Sequence, residues 1–210
     1  MRSLIMIAAI GMSCIAMAAR ATAQDRMPPL AADKLTDAQK KAIEEFKAAR
    51  SAEVSGPFVP LLRSPEVMSR ARAMGDYLRF RSVLPPRLSE LVILLTAREW
   101  TQNYEWSAHE PAARKAGLKD DVIKAIADGR RPDHMAEDEE ILYTLCDELR
   151  RNHSVSDATY ARALAKFGEQ GIIDAIGITG YYTMLSMVMN TARTPLAGGA
   201  TPGLAPFPRP

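Results

Sequence analysis

Three side chains in this 210-residue sequence have the types and spacing for proton chemistry: Glu90, Glu105 and His109. Glu105 and His109 stand four residues apart, so on a helix they project from one face. A carboxylate beside an imidazole is what general acid–base catalysis near neutral pH needs. The same spacing suits two metal ligands on one helix face, a weak surface ion pair, or a buried histidine held by a hydrogen bond. Glu90 sits among Leu88, Leu91, Val92, Ile93 and Leu94. A carboxylate in so apolar a run is either at a wet edge or buried beside a partner, and burial raises its pKa. Arg98, two turns further on, could pair with Glu90 or hold an anionic substrate. Trp100, Tyr104 and Trp106 gather aromatic surface in a chain with only 6% aromatic residues. They could wall a pocket for a flat organic compound or fill the core. Tyr181, Tyr182 and Met184 carry the same two readings. His134 and His153 lie in charged, loop-like surroundings and are expected to be solvated.

Two short helices are needed to hold these groups. Pro86 to Leu118 reads as such a pair, joined near Gln102 and closed by Gly117. Before it, Thr36 and Gln39 form a capping-box pattern that opens a helix to about Arg50, with Ile43, Phe46 and Ala49 inward. Ser55-Gly56-Pro57 stops this helix, and Phe58 to Leu62 is a short apolar connector. Ser64-Pro65-Glu66 starts a helix to about Arg81, with Val67, Ala71, Met74 and Leu78 on its apolar face. After the pair come a short helix from Val122 to Ala127 and an amphipathic one from Ala136 to Arg151. Ser156-Asp157 opens another, through Phe167. Ile172 to Met189 is apolar nearly all round and reads as a central buried helix. No run alternates at period two for long enough to be a strand. The expectation is an all-α domain over 36–193 with about eight helices, a flexible lead-in over 24–35, and a Pro/Gly/Ala-rich tail over 194–210 that is mobile or draped on a partner.

Residues 1–23 read as a secretory signal peptide. Met1-Arg2-Ser3 is cationic, Leu4 to Ala19 is apolar, and Ala21-Thr22-Ala23 is a small-residue cleavage pattern. This implies export, in a bacterium to the periplasm. The apolar run is short for a membrane span and no later stretch is apolar for long enough, so no stable membrane insertion is expected after cleavage. Arg2 and Arg20 leave with the leader, and the formal charge of +2 falls to zero. A nucleic-acid partner therefore has no basic patch to bind. Cys14 leaves too. Cys146 then stands alone, without a disulfide, in an apolar helical pattern that reads as inert core.

Glu90-Leu91-Val92-Ile93-Leu94, Thr96-Ala97-Arg98-Glu99-Trp100 and Tyr104-Glu105-Trp106-Ser107-Ala108-His109 together resemble the carboxymuconolactone decarboxylase family. Leu84-Pro85-Pro86-Arg87, Ala116-Gly117-Leu118 and Gly180-Tyr181-Tyr182 with Asn190 extend the likeness over most of 58–197. The resemblance implies the all-helical bundle shared with alkylhydroperoxidase D-like proteins, and symmetric homo-oligomers, often trimers or hexamers. The redox branch of that superfamily carries Glu, then Cys-x-x-Cys, then His four residues after the second Cys. Glu90 and His109 match the Glu and His, but Gln102 and Glu105 fall where the cysteines would be. A disulfide cycle is then unavailable, and antioxidant peroxidase chemistry is the least favoured implication. The decarboxylase branch needs no cofactor, in keeping with the lack of a phosphate-loop or dinucleotide motif, and no metal is expected on this reading. It implies a carbon–carbon lyase or isomerase acting on a small carboxylated lactone or aromatic-derived compound. His109 and Glu105 would be the proton-transfer pair and Glu90 would orient or relay. Arg98, Trp106, Tyr104, Trp100 and Tyr181 would bind the organic acid. A metal-dependent enzyme built on Glu105 and His109, and a non-catalytic small-molecule binding protein, remain as alternatives. Ring-cleavage decarboxylases work inside the cell, so export points to a different substrate.

Overall fold

The computed structural model describes residues 24–206; the leader expected over 1–23 and the last residues, 207–210, lie outside them. Among the described residues there are eight α-helices and no strand: α1 (Asp37–Arg50), α2 (Phe58–Leu61), α3 (Pro65–Phe80), α4 (Pro86–Glu99), α5 (Asn103–Lys115), α6 (Asp120–Ala127), α7 (Glu137–Asn152) and α8 (Asp157–Ala192). Helix α4 is the hub, lying against α5, α7 and α8. Its run Leu91-Val92-Ile93-Leu94 is wholly buried because neighbours cover it on every side. That is the physical reason the run has no polar face.

Local signals account for several boundaries. Thr36 and Gln39 form the capping box expected of them: Thr36 Oγ1 accepts from the Gln39 amide and the Gln39 side chain accepts from the Thr36 amide. Two inward faces are displaced from expectation. In α1 the buried residues are Ala42 and Phe46, while Ala49 is exposed. In α3 they are Met68, Ala71, Gly75 and Leu78, and Val67 and Met74 point outward at 44% and 46% exposure. The stripe shifts because α3 needs its glycine inward. A Cβ on Gly75 would collide with the Tyr181 hydroxyl, so only glycine lets α8 approach this closely.

Helix α8 unites the two helices expected over 157–167 and 172–189, with a break at Gly168 (φ 66°, ψ 176°). One window of it has a mean hydropathy of 1.4, so by length and composition it could cross a membrane, contrary to the sequence expectation. Half of that window is buried inside the protein. Apolar all round does not mean covered all round, for Ile173 is 65% exposed. The buried face also carries Asp174, whose carboxylate accepts from Ser82 Oγ (2.7 Å), the Val83 amide (3.0 Å) and Tyr77 Oη (3.1 Å). These bonds fasten the α3–α4 turn to α8 and so fix where α4 begins.

Both flanking segments are tied to the body rather than free. In the lead-in, the Arg26 amide donates to Ala192 O (2.7 Å), Pro28 O accepts from Arg63 (2.7 Å), and Leu30 and Leu35 pack on the core. The tail folds back on its own chain, with Leu204 3% exposed. The Leu204 amide donates to Asn103 Oδ1 (2.8 Å), and Ala205 O accepts from Arg98 (2.7 Å). One apolar side chain and two hydrogen bonds hold a segment whose composition suggested mobility. Leu204→Ala is therefore expected to lower stability by about 2–4 kcal/mol, read from the urea midpoint at unchanged slope. A change below about 0.5 kcal/mol, the usual range for surface positions, would mean the tail is not docked in solution.

Candidate active site

The corner between α4 and α5 sets the site. Thr101 turns the chain with a left-handed φ of 45°. Gln102 then caps α5, its Oε1 accepting from the Tyr104 amide (2.7 Å), while its Nε2 donates to Asn190 Oδ1 (2.8 Å). Asn190 in turn donates to Trp100 O (3.0 Å). One buried amide thus closes the corner and pins it to α8, so that Glu105 and His109 on α5 face Glu90 on α4 and Tyr181 and Tyr182 on α8. Gln102 occupies the place of the first cysteine in the redox pattern, and here it serves as a cap and a strut.

The three side chains singled out from sequence meet. His109 Nδ1 lies 2.7 Å from Glu90 Oε2, and its Nε2 lies 3.4 Å from Glu105 Oε2. His109 and Glu105 are each 3% exposed, whereas the Glu90 side chain keeps 13% exposure. The edge of the ring also meets Tyr182, centroids 5.1 Å apart and planes at 88°. Burial works against a charged imidazole, but the hydrogen bonds it donates to Glu105 and Glu90 and their negative charge outweigh it, and the His109 pKa is raised above 6.5. Glu105 Oε1 is buried and has no hydrogen-bond partner. A buried carboxylate oxygen without a donor is costly and calls for an explanation. Both ring nitrogens face carboxylates, and no group of three metal-ligating side chains forms among the described residues.

Glu105 and His109 border a cavity of about 190 Å³ whose wall also includes Tyr104, Tyr181, Tyr182 and Phe58, with Arg50 and Arg79. Burial pushes the Tyr181 phenol up to about 12, against the pull of Arg50, and also raises Tyr182. Burial also raises Tyr104. These hydroxyls stay protonated and can act as donors. Tyr104 reaches the cavity over Gly56, where a Cβ would sit 2.7 Å from its ring and where φ is 56°. Arg50 is held in place: its Nε donates to Asp76 Oδ1 (2.9 Å), and its guanidinium lies 4.6 Å from the Phe58 ring centre.

Three residues expected to bind substrate lie elsewhere. Arg98 is eight positions after Glu90, which on a helix means about 80° of rotation and about 12 Å of rise. It bonds Ala205 in the tail and borders a different cavity. Trp100 lines a third cavity. Trp106 is buried under the tail, so close to Gly203 that a Cβ there would be 2.9 Å from its ring. The cations that do line the His109 cavity are Arg50 and Arg79. No local signal marks them, because they belong to α1 and α3 and meet α5 only in the folded chain. Cys146 is buried in the core, and burial pushes its thiol up to about 12.

Comparison with known proteins accords with this arrangement. Residues 65–139, which hold all three proton-active groups, match the carboxymuconolactone decarboxylase family. The fold is similar to the alkylhydroperoxidase AhpD core, an uncharacterized peroxidase-related protein from Ralstonia eutropha JMP134. The TM-score is 0.66 at 17% identity, over 82% of this chain and 92% of that one. At this identity the likeness is one of fold. An uncharacterized peroxidase-related protein from Silicibacter sp. TM1040 is also similar, with a TM-score of 0.63 at 19% identity, over 82% of this chain and 90% of that one. No curated protein sequence matches the chain. Within its all-helical frame the chain has Gln102 and Glu105 where the redox pattern it resembles would have cysteines, and so carries a Glu–His–Glu cluster.

Proposed function

We propose that the chain is a cofactor-independent lyase or isomerase that transfers a proton to or from carbon beside a carbonyl, with a small carboxylated lactone or aromatic-derived acid as substrate. The observation that carries this reading is His109 held between Glu90 and Glu105 at the wall of a cavity with an unpartnered Glu105 oxygen. In a decarboxylation, the carbon–carbon bond to the leaving carboxylate breaks and its electron pair enters a dienolate as CO2 departs. Tyr181, Tyr182 and Tyr104 stand ready to donate to the developing oxyanion. His109 Nε2 faces the cavity side, where its contact with Glu105 is the longer of the two. It gives its proton to carbon, forming the new C–H bond. Glu90, more tightly bonded, accepts from Nδ1–H and fixes the ring, and water entering the cavity as product leaves returns a proton to Nε2. An isomerase would use the same groups, with Glu105 Oε1 as the base.

Arg50 and Arg79 would hold a carboxylate that stays on the substrate. Release of CO2 from γ-carboxymuconolactone and related unsaturated lactone acids, followed by infrared or mass detection, tests the assignment. Arg50→Gln is expected to raise KM by about tenfold or more with a smaller effect on kcat, since a lost charge-assisted hydrogen bond removes about 1.5–3 kcal/mol. An unchanged KM would remove Arg50 from substrate binding.

The peroxidase-related description of both similar structures favours a second reading, peroxide reduction. This chain has no thiol at the redox positions, and its one described cysteine is buried and held protonated. Peroxide consumption above background would reverse the preference. The leader supports export. The outward apolar residues Val67 and Met74 of α3, with Ile173 and Met187 of α8, support self-association, which sedimentation equilibrium reads directly.

A further inference from the structure

Away from the His109 cavity, and sharing no wall residue with it, are two larger cavities that adjoin each other. The first, about 320 Å³, is a mainly apolar slot between α4, α7 and α8, bordered by Leu95, Trp100, Tyr143, Leu149, Thr179 and Thr183. The second, about 300 Å³, is lined by Arg98, Arg130, Arg150 and Arg151 with one carboxylate, Glu99. Leu95, Glu99, Tyr143 and Arg150 belong to both walls, so the apolar slot opens directly onto the arginines.

The guanidinium groups are braced by carboxylates, two of which, Asp147 and Glu99, themselves border the joint cavity. Asp147 bonds Arg150 and takes Arg151 Nε at 2.8 Å, Asp128 takes Arg130 at 3.2 Å, and Glu99 bonds Arg150. A guanidinium has five N–H donors in a fixed fork, and these contacts use only some of them. The rest are oriented without further loss of side-chain freedom. A slot of this size with apolar walls and convergent polar groups at one end has the proportions of a small-molecule site. Its two ends ask for opposite chemistry in one ligand.

We propose that this joint cavity binds an amphipathic monocarboxylate, with the alkyl or aryl body in the slot against Trp100 and Tyr143 and the carboxylate on Arg150 and Arg151. A lone apolar groove would accept a helix of another protein as readily. The arginines at the slot's end favour a free acid, because a packed helix would cover the guanidinium N–H groups that these ion pairs leave unused without an acceptor to meet them. The site is distinct from the proposed reaction centre and stands whether or not that centre is a lyase.

Calorimetric titration of the purified chain with octanoate, octanol and acetate tests this, with Trp100 fluorescence as a second readout. Octanoate should bind, octanol should bind at least about tenfold more weakly, and acetate should give no signal, since the ligand needs both its charge and its body. Thr183→Phe, which fills the slot, should abolish octanoate binding, and Arg150→Gln should weaken it by about tenfold. If Arg150→Gln does not fold once its ion pairs are gone, Thr183→Phe and the octanol comparison still decide. No octanoate binding would overturn the proposal. So would equal binding of octanol, or octanoate binding unaltered by Thr183→Phe, which would place the acid in the His109 cavity or elsewhere.

Discussion

His109→Ala is expected to lower kcat by about 10²–10⁴-fold, the range that a positioned acid–base group contributes. Stability should fall as well, because removal of the buried ring leaves Glu90 and Glu105 facing each other without their partner. Circular dichroism should still give the native spectrum at the assay temperature, with a lower melting point. The pattern to look for is a fall in kcat at nearly constant KM, the sign of an interaction made in the transition state only. A His109→Ala variant that turned over at the native rate would contradict the assignment outright.

The second large effect concerns Glu105. Glu105→Gln keeps the shape of the side chain and removes its charge. With one of two carboxylates gone, the His109 midpoint should fall toward the range of a free imidazole, because the pull that overcomes burial is halved. Histidine NMR read against pH measures this. Turnover should fall by about 10²-fold, and the alkaline limb of the pH profile should move to lower pH together with the NMR midpoint. The stability linkage has a definite sign. His109 is held charged in the folded chain, so its contribution is fully present below an unfolded pKa of about 6.5 and is lost as pH rises through the raised folded value. Glu105→Gln should shrink that alkaline loss. A midpoint that did not move would mean that Glu105 and His109 are not coupled in solution.

The reactive core was legible from sequence because helix geometry is nearly rigid over one turn. Glu105 and His109 share a face by spacing alone, and the break at Gln102 told where α5 begins. That Glu90 would meet His109 followed from the family pattern, not from spacing, since a corner between helices can turn many ways. Arg98 shows where such reasoning ends. Eight residues along a helix bring a side chain only roughly back to its starting face, and one tail carbonyl was enough to engage it. Arg50 and Tyr181 could not be paired from sequence, because α1 and α8 lie far apart in the chain and both pack on α3, whose inward Gly75 admits Tyr181. The outward turn of Met74 follows from the same glycine. Average hydrophobicity ranks methionine above glycine for the core, and the close approach of Tyr181 reverses the order. Leu204 escaped notice because a single leucine among prolines and glycines makes no period.

In this all-helical fold the two positions that would hold cysteines in the redox pattern hold a cap and an acid. Gln102 builds the corner, and Glu105 completes a row in which His109 lies between two carboxylates. On the function proposed above, carbon rather than sulfur or a peroxide oxygen is the atom the cluster would serve.

The most direct measurement is carbon-bound hydrogen exchange in D2O. A panel of small unsaturated carboxylic acids and lactone acids would be incubated with the chain and with His109→Ala, and followed by proton NMR. The account predicts deuterium at the carbon beside the carbonyl, or at the carbon that loses CO2, in at least one compound with the native chain, and background exchange with the variant. Exchange of equal rate in both proteins, or in neither, would contradict it.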